Sequence, residues 1–126
     1  MSLSINIRTI GGVTVVDIIG RITLGTGAAT LRETLRSMPR DGRKQILLNL
    51  AETTSIDSSG LGVLVAAFAS ISNQGGQLKL LNLTKRVTDL LLVTKLFTVF
   101  EVFEDETLAV RSFPEVAAVA PGSPRF

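Results

Sequence analysis

IDSSGLGVLVAAF, residues 56–68, places one acid and two adjacent hydroxyls directly before an almost entirely apolar run. The run is longer than a typical buried strand and rich in alanine, which favours a helix buried over most of its circumference. The preceding apolar segment QILLNL, residues 45–50, is typical of a strand covered on both faces, as in parallel sheets flanked by helices. We therefore predict a strand that ends near Ile56, a polar turn at Asp57 and Ser58, and a helix that begins at Ser59 or Gly60.

The sequence on either side of this unit predicts further strands and helices. LSINIRTI and VTVVDIIG are two β-rich runs joined by Gly11-Gly12, which tolerates the positive φ of a two-residue hairpin turn. Apolar residues recur at helical spacing over residues 27–38, which predicts a first helix. QLKLLNL, residues 77–83, predicts another strand, and Thr84 is a candidate N-cap for the helix after it.

The C-terminal part completes an alternating pattern of strands and helices. FTVFEVF, residues 97–103, indicates a short edge strand, and a last helix is expected at about residues 105–112. The order predicts an α/β fold with an N-terminal β-hairpin, a mixed central sheet of about four to five strands, and about four helices packed against it. Residues 1–112 are predicted to form a single domain, and residues 113–126 a loosely ordered tail.

Composition narrows the classes of function. The 126 residues are 45% hydrophobic and carry a formal net charge of +2, which fits one globular domain. No apolar run approaches the ~20 residues of a spanning helix and the N-terminus lacks a signal-peptide pattern, so we expect a cytoplasmic protein without membrane contact. The absence of cysteine and histidine argues against metal sites and a Ser-His-Asp triad, so no cofactor is expected. The basic cluster at residues 32–44 has no Tyr or Trp beside it to stack on bases, so direct nucleic-acid binding is not expected.

The polar turn at Asp57 and Ser58 is the candidate site, because it lies on the carboxyl edge of the predicted sheet. The first N–H groups of a helix lack partners and carry partial positive charge, so they favour a hydroxyl, a carboxylate or a phosphate. A simple helix cap at Asp57 or Ser58 leaves the second hydroxyl and the glycines at 60 and 62 unexplained. No Gly-Lys-Ser or Gly-Lys-Thr accompanies the turn, so a P-loop is weakly supported.

SIDSSGLGVLVAAF resembles the signature of the STAS domain of bacterial anti-sigma factor antagonists. The flanking segments resemble the same domain, namely ILLNLAETT directly before it, VVDIIGRIT farther upstream and GGQLKLLNLTKRVTDLLLVTKLFTVFEVFEDETLA downstream. The resemblance covers about residues 4–112 and implies the STAS fold. It implies a protein that binds an anti-sigma factor with serine kinase activity and so frees a sigma factor. Phosphorylation of the first serine of the motif, here Ser58, would end that binding until a PP2C-type phosphatase removed the phosphate. Such a protein is a kinase substrate and no enzyme itself.

The resemblance also assigns roles to individual residues. Ser58 is the phosphate acceptor, and Ser59 is expected to be the helix cap rather than a second acceptor. Asp57 would orient the turn or a metal bound by the kinase, and Leu61 is either an interface contact or a core residue. The implied partner-binding surface consists of Arg21, Thr23, Asp57, Ser58, Ser59, Gly60, Leu61 and Gly62.

Two positions differ from the family pattern. Thr23 follows Gly-Arg where phosphorylated members often carry an acid that is thought to help recognition and phosphorylation near the serine. Lys95 stands where a glycine often ends a helix in a left-handed turn. A lysine can adopt that turn at a cost of about 1 kcal/mol.

Other interpretations remain open on the sequence alone. A non-phosphorylated STAS scaffold or accessory subunit of a signalling or lipid-transport complex is favoured slightly by Thr23. A catalytic or small-ligand domain using Asp57 and Ser58 is disfavoured, because no histidine or lysine stands near the serine to activate it. Self-association as a homodimer is also open. The aromatic series at residues 97, 100 and 103 is predicted to be core rather than a partner surface.

Overall fold

The computed structural model describes residues 3–114, which form six strands and four helices. The strands are β1 (Leu3–Ile10), β2 (Val13–Ile22), β3 (Gln45–Asn49), β4 (Thr53–Ile56), β5 (Gln77–Leu81) and β6 (Val102–Phe103). The helices are α1 (Thr26–Arg40), α2 (Ser58–Asn73), α3 (Lys85–Val93) and α4 (Glu106–Arg111). The predicted α/β architecture, with its hairpin, mixed sheet and four helices, is therefore confirmed.

The sheet is mixed because only its N-terminal hairpin is antiparallel. β1 and β2 pair antiparallel across Gly11 and Gly12, whose φ angles of 55° and 84° are those of a tight hairpin turn. β2 pairs parallel with β3, β3 with β5, and β5 with β6, which gives the order β1-β2-β3-β5-β6. All strand-to-helix turns that follow these parallel strands therefore meet at one edge of the sheet.

β4 is a sixth strand, one more than the four to five predicted. It pairs parallel with the last residues of β2, after a register shift between Gly20 and Arg21, so that Ile22 lies opposite Ile56. Its sequence, Thr-Thr-Ser-Ile, is too short and polar to stand out as a strand. The pairing matters for function because it places the residues that follow Ile22 beside those that follow Ile56.

The sheet is covered on both faces. Helices α1, α2 and α3 contribute Leu31, Leu64 and Leu91 to the larger cluster of buried side chains. Helix α4 covers the opposite face, where its Ala109 packs in a second cluster with Phe113. Phe113 is only 4% exposed, so the loosely ordered tail predicted from residue 113 does not include this side chain, while residues 115–126 lie outside the described part of the chain.

Local signals at the helix ends act as their residue types suggest. The predicted N-cap Thr84 accepts a hydrogen bond from the Val87 N–H. Lys95 adopts the left-handed turn with a φ of 62°, and the Leu96 N–H donates to the Leu91 carbonyl across it. The predicted core position of Phe100 is confirmed by its 5% exposure and its edge-to-face contact with Phe68, at 5.3 Å between ring centroids.

An ion-pair network joins α4 to the hairpin. The Arg8 guanidinium donates to both carboxylate oxygens of Asp17, at 2.8 and 2.9 Å, and to both oxygens of Glu106, at 2.7 and 3.1 Å. The hydrogen bond from Arg8, opposed by partial burial and aided by Asn49, holds the pKa of Asp17 below its ordinary value. This network fixes the short helix α4 over the second core cluster.

Candidate functional site

The candidate site lies at the carboxyl edge of the sheet, where β2 and β4 end side by side. Ile22 and Ile56 are register partners, so the loop at residues 23–25 runs next to Asp57 and the start of α2. The structure thus brings together two segments that are more than thirty residues apart in the sequence. The predicted polar turn is confirmed between a strand that ends at Ile56 and α2, which begins at Ser58, one residue earlier than expected; that strand is β4, and QILLNL forms the separate strand β3.

Asp57 holds these two segments together. Its Oδ1 accepts a hydrogen bond from the Gly60 N–H and its Oδ2 accepts one from the Leu24 N–H, both at 2.9 Å. The hydrogen bond from Leu24, followed by that from Gly60, lowers the pKa of Asp57 below its ordinary value. Asp57 is therefore the N-cap of α2, and the prediction that Ser59 is the cap was wrong. These two hydrogen bonds hold the turn, which is the first of the two roles considered for Asp57, and the second, orienting a metal bound by a kinase, stays a prediction.

Ser58 is the first residue of α2 and is exposed. Because the carboxylate of Asp57 caps the helix, the Ser58 hydroxyl is not needed for capping. It stands at the positive end of the α2 dipole, where added negative charge is stabilised by about 0.3–1 kcal/mol. Its neighbour Ser59 is partly buried. Ser58 is therefore accessible from solvent, and its hydroxyl is not needed to hold the helix end in place.

The two glycines of the motif have different surroundings. A Cβ on Gly60 would collide with the carbonyl oxygen of Ile22 and would lie 2.8 Å from the Ile22 Cγ2. A Cβ on Gly62 would meet nothing within 4 Å. Gly60 therefore allows α2 to pack closely on β2, whereas Gly62 leaves helix backbone exposed on the surface without a side chain to cover it.

Leu61, for which core and interface roles were both considered, packs in the core at 6% exposure. Gly60 is also buried. Of the predicted partner-binding residues, these two lie inside the protein, so their effect on a partner would pass through the packing of α2. Ser58 and Gly62 lie on the surface.

The loop from β2 to α1 supplies the other half of the site. Arg21 is exposed on β2 opposite Ser55, and Thr23 is partly buried with its carbonyl accepting a hydrogen bond from the Ala28 N–H at 2.9 Å. Leu24 is 79% exposed although it is large and apolar, and its own N–H is held by Asp57. Sequence reasoning missed Leu24, although an isolated leucine among Thr and Gly residues in a loop was a signal for it.

A groove of about 420 Å³ runs between α1 and α2 from the site. Its walls include Ser58, Ser59 and Gly62 from α2, and Arg32 and Arg36 from α1. Its floor is apolar, with Leu35, Val63, Ala66, Ala67 and Ile71. The two arginines belong to the basic cluster at residues 32–44, and their four-residue spacing places them on one helix face.

Other site types find little support in residues 3–114. Within that range no group of three or more His, Cys, Asp or Glu side chains is arranged to hold a metal ion. None of the helices described there combines the length and apolarity needed to cross a bilayer.

Comparison with known proteins agrees with the fold and with the domain family that the sequence resembles. The sequence matches the STAS domain family over residues 4–109. The anti-sigma-B factor antagonist of Bacillus subtilis is 31% identical over 102 residues, which cover 81% of this chain and 92% of that protein.

Solved structures show the same fold at lower identity. An anti-sigma factor antagonist from Mycobacterium paratuberculosis superposes with a TM-score of 0.78 at 17% identity, covering 88% of this chain and 93% of that one. The phosphorylated form of SpoIIAA from Bacillus superposes with a TM-score of 0.68 at 15% identity, covering 86% of this chain and 98% of that one. The resemblance seen in the sequence is confirmed, and the chain belongs to the STAS domain family.

Proposed function

We propose that this protein is an anti-sigma factor antagonist that binds an anti-sigma factor with serine kinase activity and is switched off by phosphorylation of Ser58. The observation that carries the proposal is the exposed Ser58, which directly follows Asp57, the residue that caps the helix and holds the N–H of the exposed Leu24. The relatives named as anti-sigma factor antagonists support the binding function. SpoIIAA, which shares the fold, has been solved in unphosphorylated and phosphorylated forms.

The position of Ser58 fits a modification that changes binding and leaves the fold intact. A phosphate adds about −1.5 to −2 charges, and at this helix end the dipole offsets part of their cost. In an interface the same dianion loses its hydration, and a net penalty of even ~4 kcal/mol weakens binding about a thousandfold. The unmodified protein therefore binds its partner, and the phosphorylated protein is released.

The neighbouring carboxylate sets a condition on the phosphorylation reaction. The pKa of Asp57 is lowered, so this group is ionised at neutral pH beside the incoming phosphoryl group. Two like charges in adjacent positions repel, and a cation near the transferred phosphate removes the repulsion. A metal ion bound by the kinase would supply this charge, and no metal site of the antagonist itself is required. A PP2C-type phosphatase would reverse the modification, and the cycle would take place in the cytoplasm.

Thr23 favours a second candidate function. This residue lies at the end of β2, in the loop whose next N–H is held by Asp57, and it brings no negative charge to that position. If recognition by a kinase needs an acid there, the protein is a non-phosphorylated STAS scaffold or accessory subunit of a signalling or lipid-transport complex. The candidate site would then bind a partner without being regulated by phosphorylation of Ser58.

The test is to incubate the purified protein with candidate anti-sigma kinases from its own genome and ATP, and to measure its intact mass and binding. Phosphate that maps to Ser58, is absent in Ser58→Ala and persists in the matched Ser59→Ala variant would support the proposal. Binding without phosphate transfer, together with transfer restored by Thr23→Asp, would favour the scaffold. Neither binding nor transfer with any candidate would contradict the proposed antagonist function and leave only the fold supported.

A further inference from the structure

We propose that Arg32 receives the phosphate of phosphorylated Ser58 across the mouth of the groove between α1 and α2. The inference rests on the proposed phosphorylation of Ser58 and assigns it a binding residue within the same chain. Both residues line the groove, Ser58 from the first position of α2 and Arg32 from α1.

The geometry of the two helices directs Arg32 toward Ser58. Both helices start at the same edge of the sheet, because the strands before them end in register at Ile22 and Ile56. α1 begins at Thr26, so Arg32 is six residues farther along, or about 9 Å at 1.5 Å per residue. Helical side chains lean toward the N-terminus of their helix, so a side chain as long as that of Arg32 can reach back toward the level of Ser58.

The charges in the groove are unbalanced in a way that a phosphate would correct. Two guanidinium groups line the groove, and none of its described lining residues is acidic. Arg32 has no carboxylate within 4.0 Å among residues 3–114, whereas Arg36 has Glu33 at 3.6 Å on its own helix. A guanidinium binds phosphate oxygens through paired hydrogen bonds, which makes an arginine without an acidic partner a suitable receptor.

Arg36 provides a matched control. It has the same side chain, the same helix face and the same groove, but it lies one further turn from the helix start, at about 15 Å. Arg32 should therefore contact the phosphate directly, and Arg36 should only contribute a distant positive charge. Phosphorylation would then alter the groove as well as the helix end, because it would draw Arg32 away from any partner that uses the groove.

The test uses the full chain made with phosphoserine incorporated at position 58 during translation, so that no kinase is needed. The second pKa of a phosphoserine lies near 6 and falls when a cation stabilises the dianion. In a ³¹P NMR titration, we expect Arg32→Gln to raise this phosphate pKa by at least about half a pH unit, and Arg36→Gln to change it by much less. Equal changes in the two variants, or no change in either, would overturn the assignment.

A second measurement keeps the proposal testable without any substitution in α1. In ¹⁵N spectra of the arginine side chains, the Arg32 Nε–H signal should shift on comparison of the phosphoserine chain with the unmodified chain, while the Arg36 signal stays in place. An unshifted Arg32 signal would contradict the contact. Because both measurements start from phosphoserine already in place, they can succeed while every kinase assay on Ser58 fails, and the two proposals fail separately.

Discussion

Gly60→Ala is expected to destabilise the protein, although alanine is the better helix former. Gly60 lies in the first turn of α2, where the helix packs directly on the end of β2. The added methyl group would collide with the Ile22 carbonyl oxygen and approach the Ile22 Cγ2 to 2.8 Å and the Ile56 Cγ1 to 2.9 Å. One of these obstacles, the Ile22 carbonyl oxygen, is backbone within a paired strand. A rotamer change alone therefore cannot relieve the collision, and the helix has to move.

The magnitude follows from two opposing effects. Overpacking a core position costs typically 1–3 kcal/mol, and a collision with strand backbone belongs at the upper end, about 3 kcal/mol. Replacing glycine by alanine inside a helix recovers up to about 1 kcal/mol. The net loss of unfolding free energy is therefore about 2 kcal/mol, or roughly 10 °C in Tm for a domain of this size.

Gly62→Ala is the matched control, because it lies in the same helix and its Cβ meets nothing within 4 Å. It should raise the unfolding free energy by up to about 1 kcal/mol. Urea denaturation of both variants, with equal m-values, measures the difference. If Gly60→Ala proved as stable as Gly62→Ala, the close packing of α2 on β2 would not be what requires the glycine, and this reasoning would be refuted.

Three further predictions concern the carboxylates and the exposed leucine. Asp57→Ala should lose about 1 kcal/mol of stability at neutral pH. The folded pKa of Asp57 lies below its ordinary value, so the stability contributed by this carboxylate is present above about pH 4 and is lost as the pH falls through the folded pKa. In urea denaturation at a series of pH values, the unfolding free energy of Asp57→Ala should therefore fall less steeply toward acid pH than that of the unchanged protein. Arg8→Met should destabilise the protein by roughly 1–2 kcal/mol, because Asp17 loses its cationic partner and keeps only its hydrogen bonds from Asn6 and Asn49. Amide exchange in α4 should become faster, and unchanged exchange would contradict the network. Leu24→Ser should leave stability within about 0.5 kcal/mol and weaken binding of the anti-sigma partner more than tenfold, whereas Val93→Ser, at a similarly exposed position, should not.

Local sequence signals predicted most of the fold because they depend on few neighbours. The Gly11-Gly12 turn, the apolar strand β3 and the Thr84 cap need only their own segments, and all three occur as expected. β4 was not predicted as a strand separate from β3, because a four-residue polar strand exists only through its pairing with the end of β2. Tertiary context decides such elements, and it is absent from a linear pattern.

The candidate site also has some features that local sequence signals predict and others that depend on tertiary contacts. Ser58 could be identified because its surroundings are set by the adjacent strand and helix. The cap assignment failed because Asp57 and Ser59 are both good capping residues, and the choice depends on where the helix begins. The groove beside Arg32 arises from contacts between distant segments, so composition and spacing could not reveal it, whereas the isolated Leu24 among Thr and Gly residues was a signal that was passed over.

The carboxylate of Asp57 joins the two segments of the candidate site, the loop at residues 23–25 and the start of α2, into a single rigid unit. Asp57 holds the loop that carries Leu24 and the helix end that carries Ser58, while the absence of a side chain at Gly60 locks that helix end onto β2. A surface fixed in this way loses little conformational freedom when a partner binds, which leaves more of the contact energy as affinity. The same rigidity would prevent a phosphate on Ser58 from being moved aside by a loop rearrangement. Under the proposed switch, the added charge would therefore act on the partner and on the side chains lining the groove, and the fold that presents it would stay unchanged.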